Sequence, residues 1–124
     1  MKMYKVIRKF DAAHHLQYYD GMCARLHGHT WKIEVYVSMP PDRDRDGIAI
    51  DFKELKPAID AALPDHLLLN DTMLTRGDSP SAENLIEDLW VKIEKRLTVQ
   101  FTNTHLMKLV LWESDEAAVV KEGP

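Results

Sequence analysis

Cysteine is nearly missing from this chain: Cys23 stands alone among 124 residues. No internal disulfide can form, and a single thiol in a chain with six histidines fits a reducing compartment. An excess of positive charge is missing too. Sixteen Lys and Arg against twenty Asp and Glu leave a formal charge of −4 and a pI near 5.8. A broad basic footprint for nucleic acid is thereby excluded, while a local basic pocket for an anionic ligand is not. No stretch approaches the roughly 20 apolar residues of a membrane span. The opening MKMYKVIRKF scatters charge and has no apolar centre, which argues against a secretory signal. Repeats, low-complexity tracts and linkers are lacking. The expectation is a soluble cytoplasmic protein without nucleic-acid or membrane partners. With 45% hydrophobic residues, 1–124 suffices for one domain with its own core.

What the chain does contain is organised around Cys23-Ala24-Arg25-Leu26-His27-Gly28-His29. The run that follows, Thr30 to Val37, alternates and is rich in β-branched and aromatic residues, so 28–39 reads as a strand. Residues 3–10 read as an earlier strand, and 11–27 as a long functional loop. Pro40 to Gly47 is a charged turn. Asp51-Phe52-Lys53-Glu54 resembles a capping box, opening a helix through Leu63 that buries Leu55, Ile59 and Leu63. Pro57 predicts a kink or a late start there. Asp65 to Asn70 is a short polar-flanked apolar run, and Gly77-Asp78-Ser79-Pro80 marks a turn with proline in the next helix's first turn. Leu85, Ile86, Leu89, Trp90, Ile93 and Leu97 recur at three and four, an amphipathic helix facing a core. Residues 105–112 and 117–121 read as two more strands around a turn at 113–116. The order is β-β-α-α-β-β, an α+β class.

Residues two apart in extended backbone share a face, so His27 and His29 make a ready pair of metal ligands. A third imidazole, His14, lies upstream, with His15 as its alternative because only one of two neighbours can point inward. Three imidazoles and an open vertex are the donor set of a catalytic zinc site; ordinary loop histidines are the plainer explanation. Cys23 has three readings: fourth ligand of a closed site, buried filler, or a thiolate in a cationic field. Asp65 beside His66 is either a carboxylate fixing an imidazole tautomer or two solvated loop groups. Glu113, closing an apolar strand, is either a turn residue or, at the mouth of the same site, an acceptor for the paired N–H groups of an amidine-like edge.

The motifs together resemble the 6-pyruvoyltetrahydropterin synthase superfamily, and more closely its branch that forms 6-carboxy-5,6,7,8-tetrahydropterin. Phe10-Asp11-Ala12-Ala13-His14-x-Leu16 is similar to its F-x-A-A-H-x-L signature. Cys23-x-x-x-His27-Gly28-His29 has the short spacing of the carboxy-forming branch. Ile50-Asp51-Phe52-x-x-Leu55-Lys56, Asp65-His66-x-x-Leu69-Asn70 and Pro80-Ser81-Ala82-Glu83-Asn84 resemble further family motifs, with Ser81 in place of threonine. The resemblance implies the tunnelling fold (T-fold): a four-stranded antiparallel sheet with two helices on one face, joining into a barrel and a hexamer of two trimers. It implies Zn2+ on His14, His27 and His29, with Cys23, Asp65 and His66 catalytic and Asp65 and His66 supplied by a neighbouring subunit. Glu113 and Ser81 would bind substrate. The implied substrate is 7,8-dihydroneopterin triphosphate. The implied products are 6-carboxytetrahydropterin, acetaldehyde and triphosphate in queuosine or 7-deazapurine biosynthesis. A 6-pyruvoyltetrahydropterin synthase and a zinc-stabilised pterin-binding module are the rival expectations.

Overall fold

The computed structural model describes residues 1–73 and 79–123. A long hairpin forms its spine. Strand β1, Met3–His14, runs antiparallel to β2, His27–Ser38, from Met3 opposite Ser38 to His14 opposite His27. Strand β4, Leu106–Trp112, pairs with the other side of β2, and β5, Ala118–Glu122, closes that edge. Helices α1, Phe52–Asp60, and α3, Ala82–Gln100, cover one face. A two-residue strand, β3, Leu67–Leu68, lies parallel to β1 at Ala12 and Ala13, and a single helical turn, α2, Leu69–Thr72, follows. The sheet order is β3-β1-β2-β4-β5, five strands where four are expected from the sequence.

Alternation decides what each face carries. Val6, Phe10, Ala12 and His14 of β1 and Trp31, Ile33, Val35 and Val37 of β2 point toward the helices and are buried. Leu55 and Ile59 of α1 and Leu85, Ile86, Leu89, Ile93 and Leu97 of α3 meet them in one core. Leu63 is only partly buried, because α1 ends at Asp60.

Several boundaries differ from expectation. The segment 11–14 is strand, not loop: two alanines give weak strand propensity, but Ala12 and His14 keep the inward phase of Val6 and Phe10. Pro57 lies inside α1 without delaying its start, which Asp51 caps by accepting the Lys53 N–H at 2.9 Å. Ser81 caps α3 through the Asn84 N–H at 3.2 Å, leaving Pro80 just outside the helix. Gly77 and Asp78 of the expected turn lie outside the described residues.

Candidate metal centre and catalytic dyad

The register that pairs His14 with His27 also sets His29 beside them on the helix-facing side. The Nε2 atoms of His14 and His27 stand 3.0 Å apart. Glu113, just past β4, brings Oε1 to 3.1 Å from His29 Nε2 and 3.8 Å from His14 Nε2. Ligand atoms of His14, His27, His29 and Glu113 all lie within 4.8 Å of one another. Trp31, fully buried, stands edge-on to the His14 and His29 rings at centroid distances of 5.4 and 5.3 Å, walling the inner side.

The tautomers favour a cation. His14 Nδ1 donates to the Pro80 carbonyl at 2.7 Å, and His27 Nδ1 to the Arg25 carbonyl at 2.6 Å. With the proton on Nδ1, both Nε2 atoms present lone pairs, and these face each other. His29 Nε2 is buried without a hydrogen bond, since Glu113 approaches it out of line. Burial lowers the His29 pKa, only partly offset by the Glu113 carboxylate, so this ring is neutral near pH 7. Three imidazole nitrogens with converging lone pairs are what a borderline divalent metal such as zinc takes.

Cys23 sits half-buried on a 3₁₀ turn, Met22–Ala24, its carbonyl accepting the Leu16 N–H at 3.0 Å. Gly21 leads into that turn at φ 150°, where a Cβ would come within 2.9 Å of the Tyr19 ring. The imidazole cluster includes Glu113, and Cys23 belongs neither to it nor to the second cluster of ligand-type side chains, Asp11, Asp65 and His66. Ser81 spends its hydroxyl on the helix cap, one residue after the carbonyl that orients His14. His15 is tied instead through its main chain to the Asn70 side chain.

Asp65 and His66 form a dyad, His66 Nδ1 lying 2.9 Å from Asp65 Oδ2. Asp11 holds both through its main chain: its N–H donates to Asp65 Oδ1 at 2.9 Å, and its carbonyl accepts the His66 N–H at 2.6 Å. The Asp11 N–H, followed by His66, keeps the Asp65 carboxyl below its ordinary pKa. His66 has φ 60°, unusual outside glycine, and the bracket from β1 together with β3 retains it. Sequence reasoning missed Asp11, which occupies the variable position of F-x-A-A-H. The orienting carbonyls of Arg25 and Pro80 have no side-chain signal at all.

The dyad sits at the free edge of β1, and its side chains gather with the Asp11 carboxylate in a second cluster, separate from the imidazoles, whose ligand atoms lie within 4.8 Å of one another. The Asp11 side chain alternates with Ala12 and His14, and His66 and His29 both line an open depression with Asp11, Ala13, Gly28 and Thr30.

Residues 3–124 match the family described as 6-pyruvoyl tetrahydropterin synthase. The chain belongs to this family. A 6-carboxy-5,6,7,8-tetrahydropterin synthase of Synechocystis is 34% identical over 92 residues, covering 69% of this chain and 70% of that protein. A dihydroneopterin monophosphate aldolase of Pyrococcus furiosus is 35% identical over 117 residues, covering 91% and 90%. The solved 6-pyruvoyl tetrahydropterin synthase of Caenorhabditis elegans superposes at TM-score 0.69 with 20% identity, covering 99% of this chain and 96% of that one. The architecture is therefore that of a T-fold subunit, an open five-stranded sheet that does not close into a barrel by itself.

Proposed function

We propose that this member of the family is a zinc-dependent lyase converting 7,8-dihydroneopterin triphosphate to 6-carboxy-5,6,7,8-tetrahydropterin, acetaldehyde and triphosphate, on a route to queuosine or another 7-deazapurine. The observation that carries the reading is the convergence of the His14, His27 and His29 nitrogens with Cys23 left outside the cluster. Kinship with synthases of that name supports the product.

In this reading the three imidazoles hold Zn2+. When bound, the ion acts as a Lewis acid toward the substrate's side-chain oxygens and acidifies the adjoining C–H and O–H groups. Cys23 accepts a proton from the side chain as general base. His66 of a neighbouring subunit, its Nδ1–H held by Asp65, donates or accepts at Nε2 on the other side. The Glu113 carboxylate grips the two parallel N–H groups of the pterin's guanidine-like edge. Its side chain is 35% exposed and so accessible to substrate. Ser81 is assigned to substrate in the family pattern, and its cap on α3 supports His14 through the Pro80 carbonyl. In this reading the site is shared between chains, and the separation of the two clusters, with no residue in common, supports it. A hexamer of two trimers, in the cytoplasm, and a single domain over 1–124 complete the reading.

A second reading is favoured by coverage. The relative that aligns with 91% of this chain is named a dihydroneopterin monophosphate aldolase. Both reactions use retro-aldol cleavage, and they differ in phosphate count and in the aldehyde released. Incubation with dihydroneopterin triphosphate is expected to yield acetaldehyde. A pyruvoyl product without acetaldehyde would contradict the assignment. Release of a phosphorylated two-carbon aldehyde from dihydroneopterin monophosphate, and no turnover of the triphosphate, would establish the aldolase instead.

A further inference from the structure

On the sheet face turned away from the helices, most charges cancel. Lys5 lies 2.9 Å from Glu34, and Lys108 lies 3.7 Å from Glu122. Lys9 and Lys32 differ. They are directly opposed across β1 and β2, and among the described residues neither is paired with a carboxylate. The neighbouring pair, Asp11 and Thr30, is of the close, non-hydrogen-bonded kind, because the Asp11 N–H and C=O turn outward to Asp65 and His66. Two residues along, Lys9 and Lys32 are of the same kind, where opposed side chains come nearest. Like charges in that position destabilise a sheet. The Lys32 ammonium rests 4.7 Å from the Trp112 ring centroid, which places it without neutralising it.

The lysine pair stands two residues along the hairpin from Asp11 and Thr30, which line, with His66, a depression of about 540 Å³. The floor of the depression is bare. A Cβ on Gly28 would meet no atom within 4 Å, so packing within the chain does not require a glycine there. The Asp11 carboxylate accepts the Thr30 hydroxyl at 2.6 Å.

Building on the proposed reaction, we infer that Lys9 and Lys32 form the anion site for the phosphate chain of the pterin substrate addressed by His66 of the same protomer. The unneutralised pair is the source of attraction, and a bound phosphate relieves the repulsion between them. A triphosphate has charge enough for both ammonium groups, whereas a monophosphate satisfies them less fully.

The test uses the zinc-loaded protein and inorganic triphosphate, with affinity measured by calorimetry. Lys9→Gln/Lys32→Gln is expected to bind about tenfold or more weakly than the parent, and to melt no lower than the parent without ligand. KM for the phosphorylated pterin rises with the loss of affinity, and kcat changes little. Unchanged triphosphate affinity in the double variant overturns the inference. Should that variant fail to fold, Lys9→Gln alone decides: weaker binding supports the pair, and parental affinity rejects it. The proposed reaction can fail separately. Lysine-dependent triphosphate binding without pterin turnover keeps the anion site and removes the reaction, whereas turnover with indifferent lysines does the reverse.

Discussion

Ring nitrogens carry the account at the scale of residues. Two backbone carbonyls take the Nδ1 protons of His14 and His27, and the remaining lone pairs then oppose one another at 3.0 Å unless a cation lies between them. Cys23 lies outside this cluster, and in the proposed reaction it is the base. Cys23→Ala is therefore expected to keep about one zinc per chain by metal analysis and to lose turnover by about a hundredfold or more. Loss of zinc would assign the thiol to the metal. Glu34 carries a separate prediction. Only 9% exposed, it accepts from Lys5 and from the Trp112 indole at 2.6 Å, and these contacts, Lys5 foremost, hold its pKa below the ordinary value. A depressed carboxyl stabilises the fold above the unfolded pKa of about 4.5 and loses that effect as pH falls through the lower folded value. Glu34→Gln is expected to cost about 1–3 kcal/mol at pH 7 by chemical denaturation, with the difference shrinking below pH 4.5.

At the scale of elements, the start of α3 reaches the metal site. Ser81 caps the helix, and the preceding carbonyl fixes His14. Ser81→Ala is expected to lower stability by about 1 kcal/mol in thermal melts and to weaken zinc binding severalfold in a chelator competition. A rise in KM alone, with zinc affinity intact, would mark Ser81 as a substrate contact only. The same helix was the plainest element to read from sequence, because Leu85, Ile86, Leu89, Ile93 and Leu97 repeat at three and four and all are buried. Strand β2 was equally plain from its alternation. The end of β1 was not, since alanines at 12 and 13 give little β signal. Strand β3 is two residues held by pairing to β1 and by the Asp11 bracket, long-range contacts that leave no local period. The three imidazoles were legible from spacing on strands. Glu113 at the mouth of the same site was legible from its place at the end of an apolar strand, but its approach to His29 was not, because that depends on how β4 registers against β2.

The whole molecule presents two separate clusters of ligand-type side chains and a sheet with open edges. Ile7 on β1 is 49% exposed and Val120 on β5 is 53% exposed, and strands at open edges favour pairing with further copies. If Cys23 of one subunit works with His66 of the next, Cys23→Ala and His66→Ala are each inactive yet complement one another. Mixed and reassembled in equal amounts, they are expected to recover about a quarter of parental activity, the share of interfaces with both groups intact. No recovery, with mixed oligomers demonstrated by mass spectrometry, would place the two residues in one chain's site. The metal centre on which every step depends is tested most directly by zinc X-ray absorption on the assembled protein. The expected spectrum shows a shell of nitrogen and oxygen near 2.0–2.1 Å with imidazole scattering and no sulfur; a zinc–sulfur shell near 2.3 Å, or zinc without imidazole neighbours, would contradict the account.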